Sequence, residues 1–177
     1  MIILDLALDI LFIVTDALYF RRIFIFSVTI LVISFIFNSG LSFYIFIKET
    51  RSNEEFKVWI DKYTQSAAIL TLISGSDVSL LTILYSQFAG LKIFSASFSD
   101  DAKKYIAVGS TVNFFIEDIP QFIIQIVFYF NTISYNIIPL LNLITSSIVL
   151  VVDLLSRVYE FFSKTHTKLC KELFESN

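Results

Sequence analysis

The stretch NFFIEDIPQFIIQ, residues 113–125, sets two carboxylates, a proline and two glutamines within a run of Phe and Ile. At about 100° per residue, most of its polar side chains fall on one stripe of a helix, with Asp118 at the edge. The stripe consists of Ser110, Asn113, Glu117, Gln121 and Gln125. This helix therefore has one polar face and one apolar face, and its role depends on the solvent around it.

The composition indicates that this solvent is lipid. The 177-residue chain is 56% hydrophobic and 16% charged, whereas a soluble domain is about 25% charged. A helix needs about 20 mainly apolar residues to cross the ~30 Å hydrocarbon layer, and runs of about that length recur along the chain. We therefore expect an all-α, polytopic integral membrane protein that forms a single helical domain over residues 1–177.

Apolar runs predict about four transmembrane helices. The N-terminal run carries three Asp and no basic n-region, so we interpret it as a retained first span and not as a signal peptide. Lys48 begins a polar stretch after the second run, which predicts a loop over residues 48–55. The predicted spans are residues 2–20, 23–47, 105–130 and 137–157.

A further apolar run, residues 67–88, is interrupted by SGSD at residues 74–77, where the bilayer midplane would fall. Non-helical backbone at that depth is tolerated only where protein or water lines it, as in re-entrant segments. We therefore expect residues 67–88 to enter the membrane and return to the same side. Amphipathic patterns over residues 56–63 and in the tail at 159–174 predict short interfacial helices.

The distribution of the 13 basic residues favours this topology. Lys and Arg near short loops collect on the cytoplasmic side of a membrane. With residues 67–88 re-entrant and both termini cytoplasmic, only Arg21 and Arg22 face the opposite side. If that segment crossed, four basic residues would lie on the non-cytoplasmic side, so we expect a multi-pass protein with both termini in the cytoplasm.

Polar stripes recur in the first and fourth predicted spans, which carry Asp5, Asp9, Asp16, Asn142, Ser146, Asp153 and Arg157. An ionised carboxylate in hydrocarbon costs at least about 2.5–3.5 kcal/mol. The stripes should therefore face the helix bundle or a water-filled groove. The candidate lining of a lipid-headgroup or ion pathway is Asp9, Asp16, Asp77, Asn113, Glu117, Asp118, Gln121, Gln125, Asp153 and Arg157.

Pro120 is the candidate hinge of this pathway. Proline has no backbone N–H, so the carbonyl of Ile116 loses its helical donor, and a kink there would expose polar backbone beside Glu117. The same polar side chains also suit interhelical hydrogen bonding without transport. Both interpretations remain open from the residues alone.

Several classes of function are disfavoured. No basic stripe suggests nucleic-acid binding, and no Cys/His cluster has metal-ligand spacing. The chain has a single His and lacks the common nucleophile and phosphate-loop motifs, so we expect no enzyme activity, metal or cofactor.

The chain resembles one repeat of the XK-related family of membrane proteins. The resemblance is carried by DILFIVTDALYF, FNSGLSFYIFIKE, SDVSLLTILYSQF and FFIEDIPQFIIQ, in that order. The family hallmark, a Glu followed by Pro-Gln and a further Gln, matches Glu117, Pro120, Gln121 and Gln125.

The resemblance implies phospholipid scrambling, with membrane lipids as the ligand. Characterised members contain two similar repeats, each with spanning helices and one helix that enters the membrane only in part. This chain matches one repeat, so the resemblance implies a homo-oligomer or partner membrane helices. The alternatives are a cation or proton pathway and a structural or accessory membrane subunit.

Overall fold

The computed structural model describes residues 2–15, 20–131, 140–141, 143–148, 150–152, 154–156 and 159. These residues form helices and turns, with no strand among them, which confirms the all-α fold class. The α-helices are α1 (Ile2–Thr15), α2 (Arg21–Ser52), α3 (Glu54–Ile73), α4 (Asp100–Asn113) and α5 (Ile119–Asn131).

Two helices in the described part of the chain are long and apolar enough to cross a membrane. One is α2, and the other runs without a break from α4 through α5; each has 32 residues. They contain the predicted spans 23–47 and 105–130. Of the predicted span 2–20, α1 supplies Ile2–Thr15, and the described residues of 137–157 are helical.

Helix α2 is longer than the sequence predicts at its C-terminal end. It continues to Ser52, through most of the predicted loop 48–55. The physical reason is Glu49, which is 1% exposed and accepts hydrogen bonds from the residues that begin the next two α-helices. The charged sequence that suggests a loop therefore forms a buried junction between helices.

The polar sequence at residues 74–77 ends a helix, as its composition suggests. Helix α3 stops at Ile73, and a 3₁₀ segment, Val78–Tyr85, follows the turn. The predicted surface helix and the first part of the predicted re-entrant segment belong to one helix, with a kink at Tyr63 where φ is −121° and ψ is 30°. The re-entrant path of 67–88 stays a prediction.

The segment that connects the two long helices leaves the C-terminal end of α2 and ends beside it, at the start of α4. Asn53, directly after α2, donates from Nδ2 to the carbonyl oxygen of Ser97, which shortly precedes α4, over 2.6 Å. An aromatic cluster fills the space between α2 and the start of α4. The ring centroid of Phe56 lies 4.8 Å from that of Phe98 and 5.7 Å from that of Trp59. The C-terminal end of α2 and the start of α4 are thus adjacent.

Close packing at Gly109 fixes α4 against its neighbours. A Cβ atom added there would lie 2.1 Å from Leu41 Cδ2 on α2 and 3.0 Å from Val78 Cγ1. A methyl group at this position would therefore require the side chain of Leu41 to move away from α4. Gly40 on α2 has nothing within 4 Å of such a Cβ, so glycine is not required there by packing.

Candidate functional site

The backbone around Pro120 widens into a π turn. Residues Phe114–Asp118 form this turn between α4 and α5, and the N–H of Ile119 donates to the carbonyl of Phe114, five residues earlier. Proline cannot supply the usual helical donor, and single π turns inside α-helices are rare and occur frequently at functional sites. The predicted hinge therefore coincides with a local widening of a continuous helix.

The π turn delivers Glu117 to a buried group of polar side chains, here called the inner polar cluster. It consists of Ser34, Asn38, Asn113 and Glu117, with the backbone carbonyl of Ser76. Asn38 Nδ2 donates to Asn113 Oδ1 over 2.8 Å and to the Ser76 carbonyl over 3.0 Å. The Ser34 hydroxyl lies 2.5 Å from Asn113 Oδ1 and also contacts Glu117 Oε2.

The partner of the predicted stripe is a polar face on α2 that was not predicted. Ser27, Ser34, Asn38, Ser42 and Glu49 are all buried. Their spacings of about four and seven residues place them on one helix face. This spacing is visible in the sequence, but small Ser and Asn side chains between aliphatic residues give a weak signal. These residues can be recognised as a buried polar face only when the structure shows that α4 packs against this face of α2.

Further along the same stripe, α5 lines a second group, here called the polar cleft. The cleft is narrow and partly open, and its lining is Asp9, Asp118, Gln121, Phe122, Gln125, Ser146 and Leu150. Gln125 Nε2 donates to Asp9 Oδ1 over 3.0 Å and so connects α5 to α1. A T-shaped contact between Phe12 and Phe128, with ring centroids 5.2 Å apart, closes the apolar side of this junction.

The polar cleft contains side-chain atoms that no described residue satisfies. Gln121 is 3% exposed, and both its Oε1 and its Nε2 lack a hydrogen-bond partner among the described residues. Gln125 Oε1 and Ser146 Oγ are also buried without a hydrogen-bond partner among the described residues. A buried polar atom without a partner costs about 1–3 kcal/mol. The cleft is therefore chemically suited to receive water or a polar ligand group.

Glu49 forms a third polar group, at the junction of α2 with α3 and α4. Its carboxylate accepts from the Ser99 backbone N–H over 2.9 Å, from the Ser99 hydroxyl over 2.6 Å and from Asn53 Nδ2 over 3.1 Å. Asn53 and Ser99 are themselves the N-caps of α3 and α4. Glu49 thus anchors two helix starts and has a structural role.

The structure separates the predicted pathway residues into distinct places. Asn113 and Glu117 lie in the inner polar cluster, whereas Asp9, Asp118, Gln121 and Gln125 line the polar cleft. Asp77 accepts from the N–H of Ser79 and caps the 3₁₀ segment.

Asp16, Asp153 and Arg157 lie outside the described residues. The predicted tail helix at 159–174 also lies outside them, except for its first residue. Among the residues that the structure describes, no group of three or more His, Cys, Asp or Glu side chains could hold a metal ion.

Comparisons with protein-family models, with curated proteins and with solved structures gave no match for this chain. Inferences about function therefore depend on the inner polar cluster and the polar cleft. In the inner polar cluster, Asn38 Oδ1 lacks a hydrogen-bond partner among the described residues, whereas four such atoms, from Gln121, Gln125 and Ser146, lie in the polar cleft.

Proposed function

We propose that this chain is a multi-pass integral membrane protein whose polar cleft receives phospholipid headgroups while the acyl tails stay in the bilayer. The two long apolar helices support a membrane location. Only 17% of the apolar window of α2 is buried within the protein, unlike the core helix of a soluble domain. Large apolar side chains instead lie on the outside of these helices, among them Phe26, Ile36, Phe43, Val108, Phe115 and Phe130.

The buried amide of Gln121, which finds no partner in the part of the chain that the structure describes, is the observation that carries the proposal. An amide whose only purpose is to join helices should have its partner within the bundle. Gln121 instead lines a cleft where it meets no donor or acceptor from the described residues. A headgroup offers phosphate and ester oxygens to Nε2, and its bound water or ammonium group offers hydrogen to Oε1.

In this mechanism the cleft replaces part of the hydration shell of the headgroup. Moving a polar group into hydrocarbon without hydrogen bonds costs several kcal/mol. Asp9, Gln121, Gln125 and Ser146 provide polar atoms from three helical segments, so the headgroup need not cross bare hydrocarbon. No covalent step is required, and the π turn beside Pro120 gives the lining helix a place to bend.

The topology belongs to the same proposal. Four spans, a re-entrant segment at 67–88 and cytoplasmic termini are compatible with the contact between Asn53 and Ser97, which brings the two ends of the intervening segment together. The resemblance to one repeat of XK-related proteins further supports lipid movement. It also suggests that two copies, or a partner membrane protein, complete the functional unit.

Reconstitution into vesicles tests the proposal. The purified protein is placed in liposomes that contain a fluorescent phospholipid, and an impermeant reductant bleaches the outer leaflet. We expect bleaching to proceed into the inner-leaflet pool with wild-type protein, and to slow with Gln121→Leu. The matched control is Gln65→Leu, the same chemical change at an exposed position of α3. No difference between protein-containing and empty vesicles would refute lipid movement.

A cation pathway is the second candidate, favoured by the charge of the cleft. Its described lining residues include two carboxylates, Asp9 and Asp118, and no basic side chain. Rings or clusters of acidic side chains attract cations in channels. Ion flux measured in the same vesicles distinguishes this function, because flux without lipid movement would assign the cleft to ions. Vesicles with neither activity would point to an accessory subunit.

A further inference from the structure

The hydrogen positions in the inner polar cluster can be deduced from its geometry. The Ser76 backbone carbonyl can only accept a hydrogen bond, so the side-chain atom of Asn38 that lies 3.0 Å from it must be the amide nitrogen. That nitrogen also lies 2.8 Å from the side chain of Asn113, which must therefore present its oxygen. Neither amide can be flipped without placing two donors or two acceptors face to face.

These orientations determine where the Ser34 proton goes. Asn113 Oδ1 lies 2.5 Å from Ser34 Oγ, and neither the Asn113 oxygen nor its carbon carries a hydrogen, so the hydroxyl of Ser34 must donate to it. A hydroxyl has a single proton to donate. The second contact of Ser34 Oγ, with Glu117 Oε2, still needs a proton between the two oxygens.

We propose that Glu117 is a proton-binding site: it is held as a carboxylic acid that donates its proton to Ser34 Oγ. The hydroxyl then acts as acceptor toward Glu117 and as donor toward Asn113. The chain of hydrogen bonds runs from Glu117 through Ser34 to Asn113, and joins the π turn to α2. The proposal concerns the inner polar cluster and is independent of lipid passage through the polar cleft.

The charges on the packed elements favour a neutral Glu117. The π turn packs against α2, α4 and α5. Helix α2 has no charged residue between Arg22 and Lys48, and α5 has none. Asp118 is adjacent in the π turn, and Asp77 follows Ser76, whose carbonyl belongs to the cluster. The charged residues of α4 all lie in its first turns, at 100, 101, 103 and 104. An ionised Glu117 would therefore add a negative charge near other acids.

Glu49 provides an internal contrast. It is also buried, but its carboxylate accepts from the Ser99 N–H, the Ser99 hydroxyl and Asn53 Nδ2, and the second hydrogen of that amide nitrogen serves the Ser97 carbonyl. These donors satisfy a carboxylate without any proton from Glu49. Among the described residues, Glu49 thus only accepts hydrogen bonds, whereas Glu117 has to donate one to Ser34. Glu49 is therefore the matched control for Glu117.

Infrared spectroscopy of the full-length protein tests the assignment. We expect a carbonyl stretch of a protonated carboxyl group near neutral pH, shifted when the sample is exchanged into D2O. Glu117→Gln should remove this band, because glutamine can donate to Ser34 but has no carboxyl group. Glu49→Gln should leave the band in place. A band that is absent from the wild type, or that persists in Glu117→Gln, would overturn the proposal.

Two further measurements keep the proposal testable if Glu117→Gln fails to fold. Ser34→Ala removes the acceptor of the acid proton, so the band should move, and an unchanged band would overturn the assignment. The second is the melting temperature of the wild-type protein in detergent from about pH 5 to about pH 9. A proton held only in the folded state stabilises it less as the pH rises.

The pH profile is compared with that of Glu49→Gln, which keeps Glu117. The melting temperatures of the wild type and of Glu49→Gln should both fall as the pH rises. The melting temperature of Glu117→Gln, where this variant folds, should fall less than that of the wild type or of Glu49→Gln. A wild-type melting temperature that stays flat or rises over this range would contradict a proton bound at Glu117.

Discussion

Replacing Gln121 by Leu should stabilise the protein and at the same time slow the movement of lipid headgroups. Gln121 is 3% exposed, and its two side-chain polar atoms meet no partner among the described residues. Leucine has a similar size and a similar helix propensity, so the change mainly removes unsatisfied polar atoms. Stability and function are therefore expected to change in opposite directions.

The size of the effect follows from the cost of buried, unpaired polar groups. Each costs about 1–3 kcal/mol, and water in the open part of the cleft reduces that cost. We expect a gain of about 1 kcal/mol, or roughly 2–4 °C in melting temperature for a chain of this size. Asn113→Leu is the control with the opposite expectation, because its Oδ1 serves two donors, Asn38 Nδ2 and Ser34 Oγ.

Thermal unfolding in detergent, followed by circular dichroism or by the fluorescence of Trp59, measures both variants. Gln121→Leu should melt above the wild type and Asn113→Leu below it. If Gln121→Leu melts below the wild type by as much as Asn113→Leu, then Gln121 joins helices within the folded protein. The cleft would then lose its main support as a binding site.

Other predictions concern the framework around the cleft. Gly109→Ala should lower the melting temperature, because overpacking typically costs about 1–3 kcal/mol. Gly40→Ala, which adds its methyl group in open space, should raise the melting temperature slightly. Equal effects of the two substitutions would contradict the packing of α4 on α2. Glu49→Ala should destabilise by at least about 1 kcal/mol because three donors lose their acceptor, and a loss no larger than that at an exposed glutamate of α3 would contradict its anchoring role. Single cysteines at Thr50 and Ser97, in a background without the native cysteine, should react with an impermeant reagent from the same side of the membrane; labelling from opposite sides would exclude the re-entrant topology.

The helical fold and the polar face of the α4–α5 helix follow from residue periodicity. Asn113, Glu117, Gln121 and Gln125 repeat every four residues, and all four are buried. The periodicity could not reveal that the first two bond to α2 while the last two face a cleft beside α1. That division depends on contacts between residues more than 70 positions apart, such as Ser34 with Asn113.

The sequence is least informative where polar residues are small or where charges cluster. Ser34 and Asn38 lie among aliphatic residues, so α2 looks uniformly apolar although one of its faces is polar. Glu49 lies in a charged run typical of a loop, yet it is buried because Asn53 and Ser99 direct donors at it. In both cases the partner, and not the residue itself, decides the environment.

The central claim is that a lipid headgroup enters the polar cleft, and fluorescence quenching tests it most directly. A bimane probe is placed on a cysteine at Phe122, an apolar residue that lines the cleft and leaves Gln121 in place, or, as control, at Phe115, which is 63% exposed on the apolar side of the helix. The protein, with Cys170 replaced by Ser, is reconstituted with lipids that carry a nitroxide on either the headgroup or the acyl chain. We predict stronger quenching by the headgroup label at position 122 and by the acyl-chain label at position 115. If the acyl-chain label quenches both positions more strongly, or if neither label reaches position 122, headgroups do not enter the cleft.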